Sequence, residues 1–287
     1  MDAPPPHVLA AFGVSAPPAR LPGGRGRTWT AAGTVLKPVD DPTEGAAIAD
    51  IVARLPDGAG YRVARPIRAS DGRWTVDGWS AWTKLDGEHR STRWRELLDA
   101  AERFHEVLAD VEQPEFIARR QDRWRIADRV AWDELPWKEF QDTAYVGRLA
   151  EARRPVALQS QLVHCDLVGN VLFAEGSPPG IIDPSLYWRP VGYSAAVVVG
   201  DAIAWEGAEP ALTQLLEHYE RWQQLLLRAV MFRVVTNELA RRDEPQRTDL
   251  REQCRAVVEL AVSLAADGTS ERGGPVGPPS PDPPKPR

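Results

Sequence analysis

His164-Cys165-Asp166-Leu167-Val168-Gly169-Asn170, followed by Val171-Leu172-Phe173 and, beyond a turn-rich segment, by Ile181-Ile182-Asp183, is the stretch that decides how this chain reads. Val171 to Phe173 and Ile181-Ile182 are β-prone, and Glu175 to Gly180 between them is rich in turn formers, so the stretch folds back as a hairpin. The return brings Asp183 towards Asn170, beside a loop that carries Asp166. Moving a phosphoryl group to a hydroxyl needs one group to orient or take the hydroxyl proton, and hard oxygen ligands to hold Mg²⁺ on the phosphates. Asp166 suits the first task, and Asn170 with Asp183 the second. His164, a two-ended hydrogen-bonding side chain, braces the loop by bonding backbone carbonyls. An ordinary loop with a capping Asp and a buried thiol would explain any one of these residues, but not the ordered set.

At these residues the sequence resembles the aminoglycoside phosphotransferase and choline kinase-like family, small-molecule kinases whose signature is His-Gly-Asp, a downstream Asn and then Ile-Asp. The resemblance implies a bilobal, protein-kinase-like α+β fold, with a β-rich amino-terminal lobe and a mainly helical carboxy-terminal lobe. It implies Asp166 as catalytic base, Asn170 and Asp183 as Mg²⁺ ligands, ATP or GTP as donor, and a small-molecule hydroxyl as acceptor. Three positions depart from the family: Cys165 stands where Gly is usual, Asn170 follows Asp166 by one residue fewer than in the kinase pattern, and Pro184 follows Asp183. Those departures leave open a second reading, a pseudokinase-like protein that binds nucleotide without turnover.

The lobes divide as 1–87 and 88–270, with a Pro-rich tail at 271–287 whose composition cannot bury enough surface to order itself. In the first lobe, Gly23, Gly24 and Gly26 can let backbone amides approach phosphates. A strand from Gly33 ends in Lys37, and a helix capped by Thr43 follows, with Ile48, Ile51, Val52 and Leu55 on its apolar face. By the resemblance Lys37 contacts the phosphates and a helix carboxylate holds it; Glu44 is that partner, with Asp50 as substitute. Trp74 to Leu85 reads as a hairpin about Asp77-Gly78. The resemblance puts the nucleotide base against the backbone from Thr83 to Leu85, while Trp79 and Trp82 fill the core.

In the second lobe Trp94, Leu97, Leu98, Ala101, His105 and Leu108 recur at helical spacing, with His105 a packed core histidine. The Arg/Asp-rich run from Arg119 to Arg129 reads as a solvated helix face, or else the lining of an acceptor cleft. Asp201 interrupts an apolar helix from Tyr193 to Trp205, where a carboxylate needs a fixed partner. The resemblance assigns it to the catalytic-loop backbone. Long helical patterns follow at 211–242 and 247–266.

Composition sets the outer limits. A chain of 287 residues, 43% hydrophobic and 26% charged, has the make-up of a soluble globular protein. A net charge of -6 argues against nucleic-acid binding, which wants a basic surface. Two separated cysteines and five scattered histidines offer neither a disulfide framework nor a zinc site. The most apolar segments, around Ala195 to Val199 and Leu225 to Val235, are interrupted by Gly200, Asp201, Arg228 and Arg233, so neither reads as a membrane span, and the amino terminus lacks signal-peptide character, so the expected location is the cytoplasm.

Overall fold

A computed structural model describes residues 2–22, 26–56, 60–246 and 250–267. A short helix, α1 (Pro6–Ala11), precedes β1 (Ala19–Arg20), β2 (Trp29–Ala31) and β3 (Thr34–Pro38). After α2 (Pro42–Arg54) come β4 (Arg62–Val63), β5 (Pro66–Ile67), β6 (Thr75–Val76) and β7 (Trp79–Thr83). The remainder is mainly helical: α3 (Trp94–Leu108), α4 (Glu115–Arg119), α5 (Arg123–Ala131) and α6 (Val146–Ala152). Four short strands then interrupt, β8 (Gln161–His164), β9 (Val171–Leu172), β10 (Gly180–Ile181) and β11 (Leu186–Arg189), before α7 (Val191–Trp205), α8 (Trp222–Asp243) and α9 (Arg251–Asp267). The class is α+β, β-rich first and helical after. The tail from 271 and Gly23-Gly24 lie outside the described residues.

The amino-terminal sheet is antiparallel, in the order β1-β2-β3-β7-β5, with β6 paired to β7. Both tight hairpins turn on two successive positive φ values, Ala32-Gly33 (48° and 78°) and Asp77-Gly78 (47° and 74°), the backbone that matches strand twist. Strand alternation then separates the faces of β3. Leu36 is buried with Val8, Phe12, Val76 and Trp79 under α1, whereas Val35 packs on the main core. Lys37, opposite in phase to Leu36, shares Val35's face and lies 5.0 Å from the Trp82 ring. Trp79 and Trp82 are both buried, as expected.

Helix α2 starts two residues earlier than its sequence suggests. Asp41, not Thr43, is the N-cap, accepting from the Thr43 and Glu44 amides at 2.8 and 3.3 Å, and Pro42 occupies the first helical position. Proline is preset for that place, which makes the preceding Asp the capping residue. The apolar face of α2 buries Ile48, Ile51 and Val52 in a core that runs on to Ala265. That core crosses the 87/88 division. β4 pairs in parallel with β10, so the two halves share a strand contact as well as a core.

The pattern read as one helix over 211–242 is two elements: a 3-10 turn at Pro210–Leu216, then α8, with Arg221 at φ 59° between them. Tyr219 explains the break. Its ring sits over Gly192 of α7, so close that a Cβ there would come within 2.9 Å, and its hydroxyl donates to Glu102 of α3. Neither Gly nor Pro lies in 217–221, so the interruption comes from docking and not from local propensity.

Candidate active site

The loop after β8 is anchored before any function is considered. Leu162, Val163 and His164 are buried at the end of β8, and the His164 carbonyl accepts from Ser194 Oγ at 2.5 Å. His105, buried as expected, accepts the His164 amide on Nε2 at 3.0 Å; burial pushes its imidazole down to about 3. The His164 ring binds at both ends, though not to two carbonyls. Its Nε2 donates to the Ile182 carbonyl at 3.3 Å while Nδ1 accepts the Asp166 amide at 3.1 Å. An amide can only donate, so the ring is neutral with its proton on Nε2. Burial lowers its pKa accordingly. Cys165 points into the core, where a side chain has room, and its amide donates to the Ser185 carbonyl at 3.0 Å.

The hairpin forms where the sequence places it, with Val171 opposite Ile181. Its mouth is closed by the Ile182 amide donating to the Asn170 carbonyl at 3.0 Å. Asn170 reaches back across the shortened loop: Nδ2 donates to the Asp166 carbonyl at 2.7 Å and approaches Asp166 Oδ2 at 3.3 Å. Its Oδ1 is therefore turned away from Asp166. Asp183, at φ 49°, pairs with Lys37. The left-handed region is one that Asp tolerates better than most residues. Gly169, at φ 81°, donates its amide to His89 Nδ1 at 3.3 Å, a contact absent from the sequence reading.

Asp201 is buried but does not bond the loop backbone directly. It accepts Arg233 Nε at 2.9 Å and Arg233 Nη2 at 2.5 Å, and Nη2 also reaches Asp166 Oδ1 at 2.9 Å and the Cys165 carbonyl at 3.5 Å. Arg233 is the intermediary. Burial pushes Asp201 up to about 6 against the pull of that guanidinium. Burial would lower Arg233, but Asp201 and Asp166 more than offset it and keep it protonated. The signal in the sequence was a lone charge in Met231-Phe232-Arg233-Val234-Val235. Matching it to Asp201 required the packing of α7 on α8.

Glu44 is not the partner of Lys37. Arg120 takes it, donating through Nε at 2.8 Å and also to the Leu186 carbonyl at 2.5 Å. Asp50 pairs with Arg54 at 3.0 Å. The short connection from Lys37 through Asp41 starts α2 close to β3, and Glu44 in its first turn meets α4 instead. At the expected base-binding stretch the Thr83 and Lys84 amides already donate, to the Arg65 and Gly33 carbonyls at 2.8 and 2.9 Å. Leu85 packs on β10, where Gly180 leaves room for it; a Cβ there would lie 2.9 Å from Leu85 Cδ1. Gly26 has φ 67°, in the loop joining β1 to β2.

The Arg119 to Arg129 run is not a solvated face. Asp128 is fully buried, held by Arg189 at 2.7 and 2.9 Å and by Arg125 at 2.5 Å, so its charges neutralise one another inside the protein. The other end of the run opens onto a cleft of about 310 Å³, lined by Arg123, Trp124, Asp166, Val168, Trp205 and Arg233 among others. Asp166 faces this cleft with half its side chain exposed. Among the described residues no three His, Cys, Asp or Glu side chains cluster as a metal site, and no helix is long and apolar enough to cross a membrane.

A family model described as the phosphotransferase enzyme family matches residues 28–225. Among solved structures, spectinomycin phosphotransferase APH(9)-Ia in complex with ADP and spectinomycin is similar at a TM-score of 0.57 and 14% identity, over 90% of this chain and 96% of that one. An aminoglycoside phosphotransferase from Alicyclobacillus acidocaldarius gives 0.56 and 14%, over 94% and 97%. The choline kinase LicA from Streptococcus pneumoniae gives 0.57 and 11%, over 90% and 96%. A search of curated proteins finds no significant match. At such identities the structural likeness speaks to fold, which is the bilobal kinase-like one.

Proposed function

The chain belongs to the phosphotransferase enzyme family, and from that premise we propose that it transfers the terminal phosphoryl group of ATP to a hydroxyl of a small molecule. One observation carries the reading: Asp166, Asn170, Lys37 and Asp183 converge at the hairpin mouth, joined by the Asn170–Asp166 bonds and the Lys37–Asp183 ion pair, beside an open cleft. The spectinomycin phosphotransferase of the same fold holds ADP and its acceptor together. Here the nucleotide lies between the segment 1–87 and the helical segment 88–270.

The oxygen donors suit Mg²⁺, a hard cation that binds through one or two side chains plus phosphates. Asn170 Oδ1 and the exposed Asp183 carboxylate would hold it, and when bound it supplies charge neutralisation on the phosphates. Lys37, freed from Asp183, steadies the phosphate oxygens. Asp166 receives the acceptor hydroxyl: its Oδ1 is held by Arg233 and Oδ2 by Asn170, so the carboxylate is oriented before substrate arrives. The acceptor oxygen bonds to phosphorus, the bond from phosphorus to the bridging oxygen of ADP breaks, and the hydroxyl proton passes to Asp166.

Mg²⁺-ATP should raise the melting temperature, because a ligand bound by the folded state stabilises it by mass action. Phosphorus NMR should then detect turnover against a panel of hydroxyl compounds. No shift at millimolar nucleotide, ATP and GTP alike, refutes the proposal; binding without turnover for any acceptor leaves the pseudokinase reading.

A further inference from the structure

The segment that leads from the sheet into α3 is fastened along the catalytic hairpin. Glu88 and Phe173 exchange both backbone hydrogen bonds, at 3.1 and 2.8 Å, and the Arg93 guanidinium lies 4.2 Å from the Phe173 ring centre. Gly87, at φ 122°, lets the two chains come so close that a Cβ there would lie 2.8 Å from the Phe173 carbonyl. This edge contact delivers His89 to the loop between Asp166 and Asn170. The His89 side chain is 19% exposed and its ring tilts against Trp94, with centres 5.8 Å apart. Its Nδ1 accepts the Gly169 amide at 3.3 Å. An amide only donates, so the imidazole proton sits on Nε2, which is buried 3.8 Å from Glu206 Oε2, beyond hydrogen-bond reach, and has no partner among the described residues.

The bond falls on a peptide that can reverse. The Asn170 amide donates to the Leu167 carbonyl at 2.9 Å, and of the two residues between them only Gly169 has positive φ, at 81°, which defines a type II turn. Turning the Val168–Gly169 peptide over gives type I, and glycine adopts either sign of φ at no steric cost. In the reversed form the Val168 carbonyl would face Nδ1, lone pair against lone pair. In the observed form the Gly169 amide donates to it. His89 thus selects between two turns that the loop's own residues leave open. The choice matters because the loop is one residue shorter than the kinase pattern, and this turn carries Asn170 back to its bonds with Asp166 at 2.7 and 3.3 Å.

We propose that His89 is a positioning residue of the phosphoryl-transfer site: as acceptor for the Gly169 amide it holds the turn from Leu167 to Asn170 in the form that seats Asn170 beside Asp166. The assignment rests on the phosphotransferase reading for what Asn170 does, whereas the bond itself is measurable without nucleotide. Hydrogen exchange at the Gly169 amide, followed by NMR on the full chain, reads the bond; melting shifts with ATP, with and without Mg²⁺, read the site. His89→Ala should speed Gly169 exchange and weaken Mg²⁺-ATP binding by about fivefold each, the scale of one neutral hydrogen bond, and leave binding of ATP without Mg²⁺ unchanged. Asn offers a carbonyl oxygen in place of Nδ1, whereas Leu keeps bulk without an acceptor. His89→Asn should therefore restore both readouts and His89→Leu neither. Gly169 exchange unchanged in His89→Ala, rescue by His89→Leu as complete as by His89→Asn, or faster exchange with Mg²⁺-ATP affinity intact overturns the proposal. Absence of nucleotide binding by the unsubstituted chain refutes the phosphotransferase reading and with it the part of His89 in the site, while loss and rescue at Gly169 still report the bond.

Discussion

Replacing Arg233 by Met tests the bridge between α7 and the catalytic loop. The side chain is 14% exposed, Asp201 4% and Asp166 49%, so the substitution strands one carboxylate in the interior and releases another at the cleft. Removing one partner of a buried ion pair costs about 3–5 kcal/mol, nearly all of it here from Asp201, since the half-exposed Asp166 can be rehydrated. Asp201→Asn in the same background removes the stranded charge and should restore about half of that loss. The pH dependence follows from the direction of the Asp201 shift. Burial already raises its carboxyl to about 6, and without Arg233 it rises further. A raised folded-state pKa means that the stabilising contribution is complete below the unfolded value, near 4, and is lost as pH climbs through the folded value. The Arg233→Met deficit should therefore be small at pH 4 and widen towards pH 8. Urea unfolding across that range measures it. A deficit under about 1 kcal/mol at pH 8, a flat pH dependence, or no recovery in the double variant would refute the reasoning.

Four further outcomes follow. Asp166→Asn should leave the nucleotide-induced melting shift intact while turnover, or slow ATP hydrolysis before an acceptor is known, falls by about a hundredfold or more; undiminished hydrolysis removes Asp166 as base. Asp183→Ala should weaken the metal-dependent part of the nucleotide shift and change apo stability by less than about 1 kcal/mol, since the Asp183 side chain is more than half exposed; a collapse of apo stability would make Asp183 structural. Glu44→Gln should destabilise by about 1–3 kcal/mol through Arg120, which is 8% exposed, without altering nucleotide affinity; an affinity loss at unchanged stability would return Glu44 to Lys37. His105, lowered to about 3 by burial, must stay neutral in the fold, so stability is lost as pH falls below the ordinary histidine value, by about 2 kcal/mol at pH 5; His105→Gln should flatten that limb, and an unchanged acid limb would exclude His105 as its source.

The hairpin, the buried tryptophans of β7, the apolar face of α2 and the His164-to-Asp183 order were legible because each depends on local propensity or on residues near in sequence. Asn170 meets Asp166 across four residues, and Asp183 comes back over a short turn, so local geometry alone brings them close. The pairings that failed are all distant ones. Lys37 meets Asp183 across 146 residues and Glu44 meets Arg120 across 76, and nothing local chooses between Glu44, Asp50 and Asp183 as partner for one lysine. The charged run at α5 read as solvent-facing because amphipathic patterning counts charges without knowing which of them cancel in the interior, as Asp128 does with Arg189 and Arg125.

By itself, then, the order of residues determined that this chain folds as a β-rich lobe followed by helices, and that a base, an amide and a carboxylate surround one hairpin. Only the tertiary structure decided which cation holds which carboxylate: Arg233 on Asp201 and Asp166, Arg120 on Glu44, Lys37 on Asp183. The reason is physical. Propensity and periodicity act over a few residues, whereas an ion pair forms between whichever opposite charges the packing of α7, α8, α4 and the sheet brings within about 4 Å, and burial then makes that choice costly to undo.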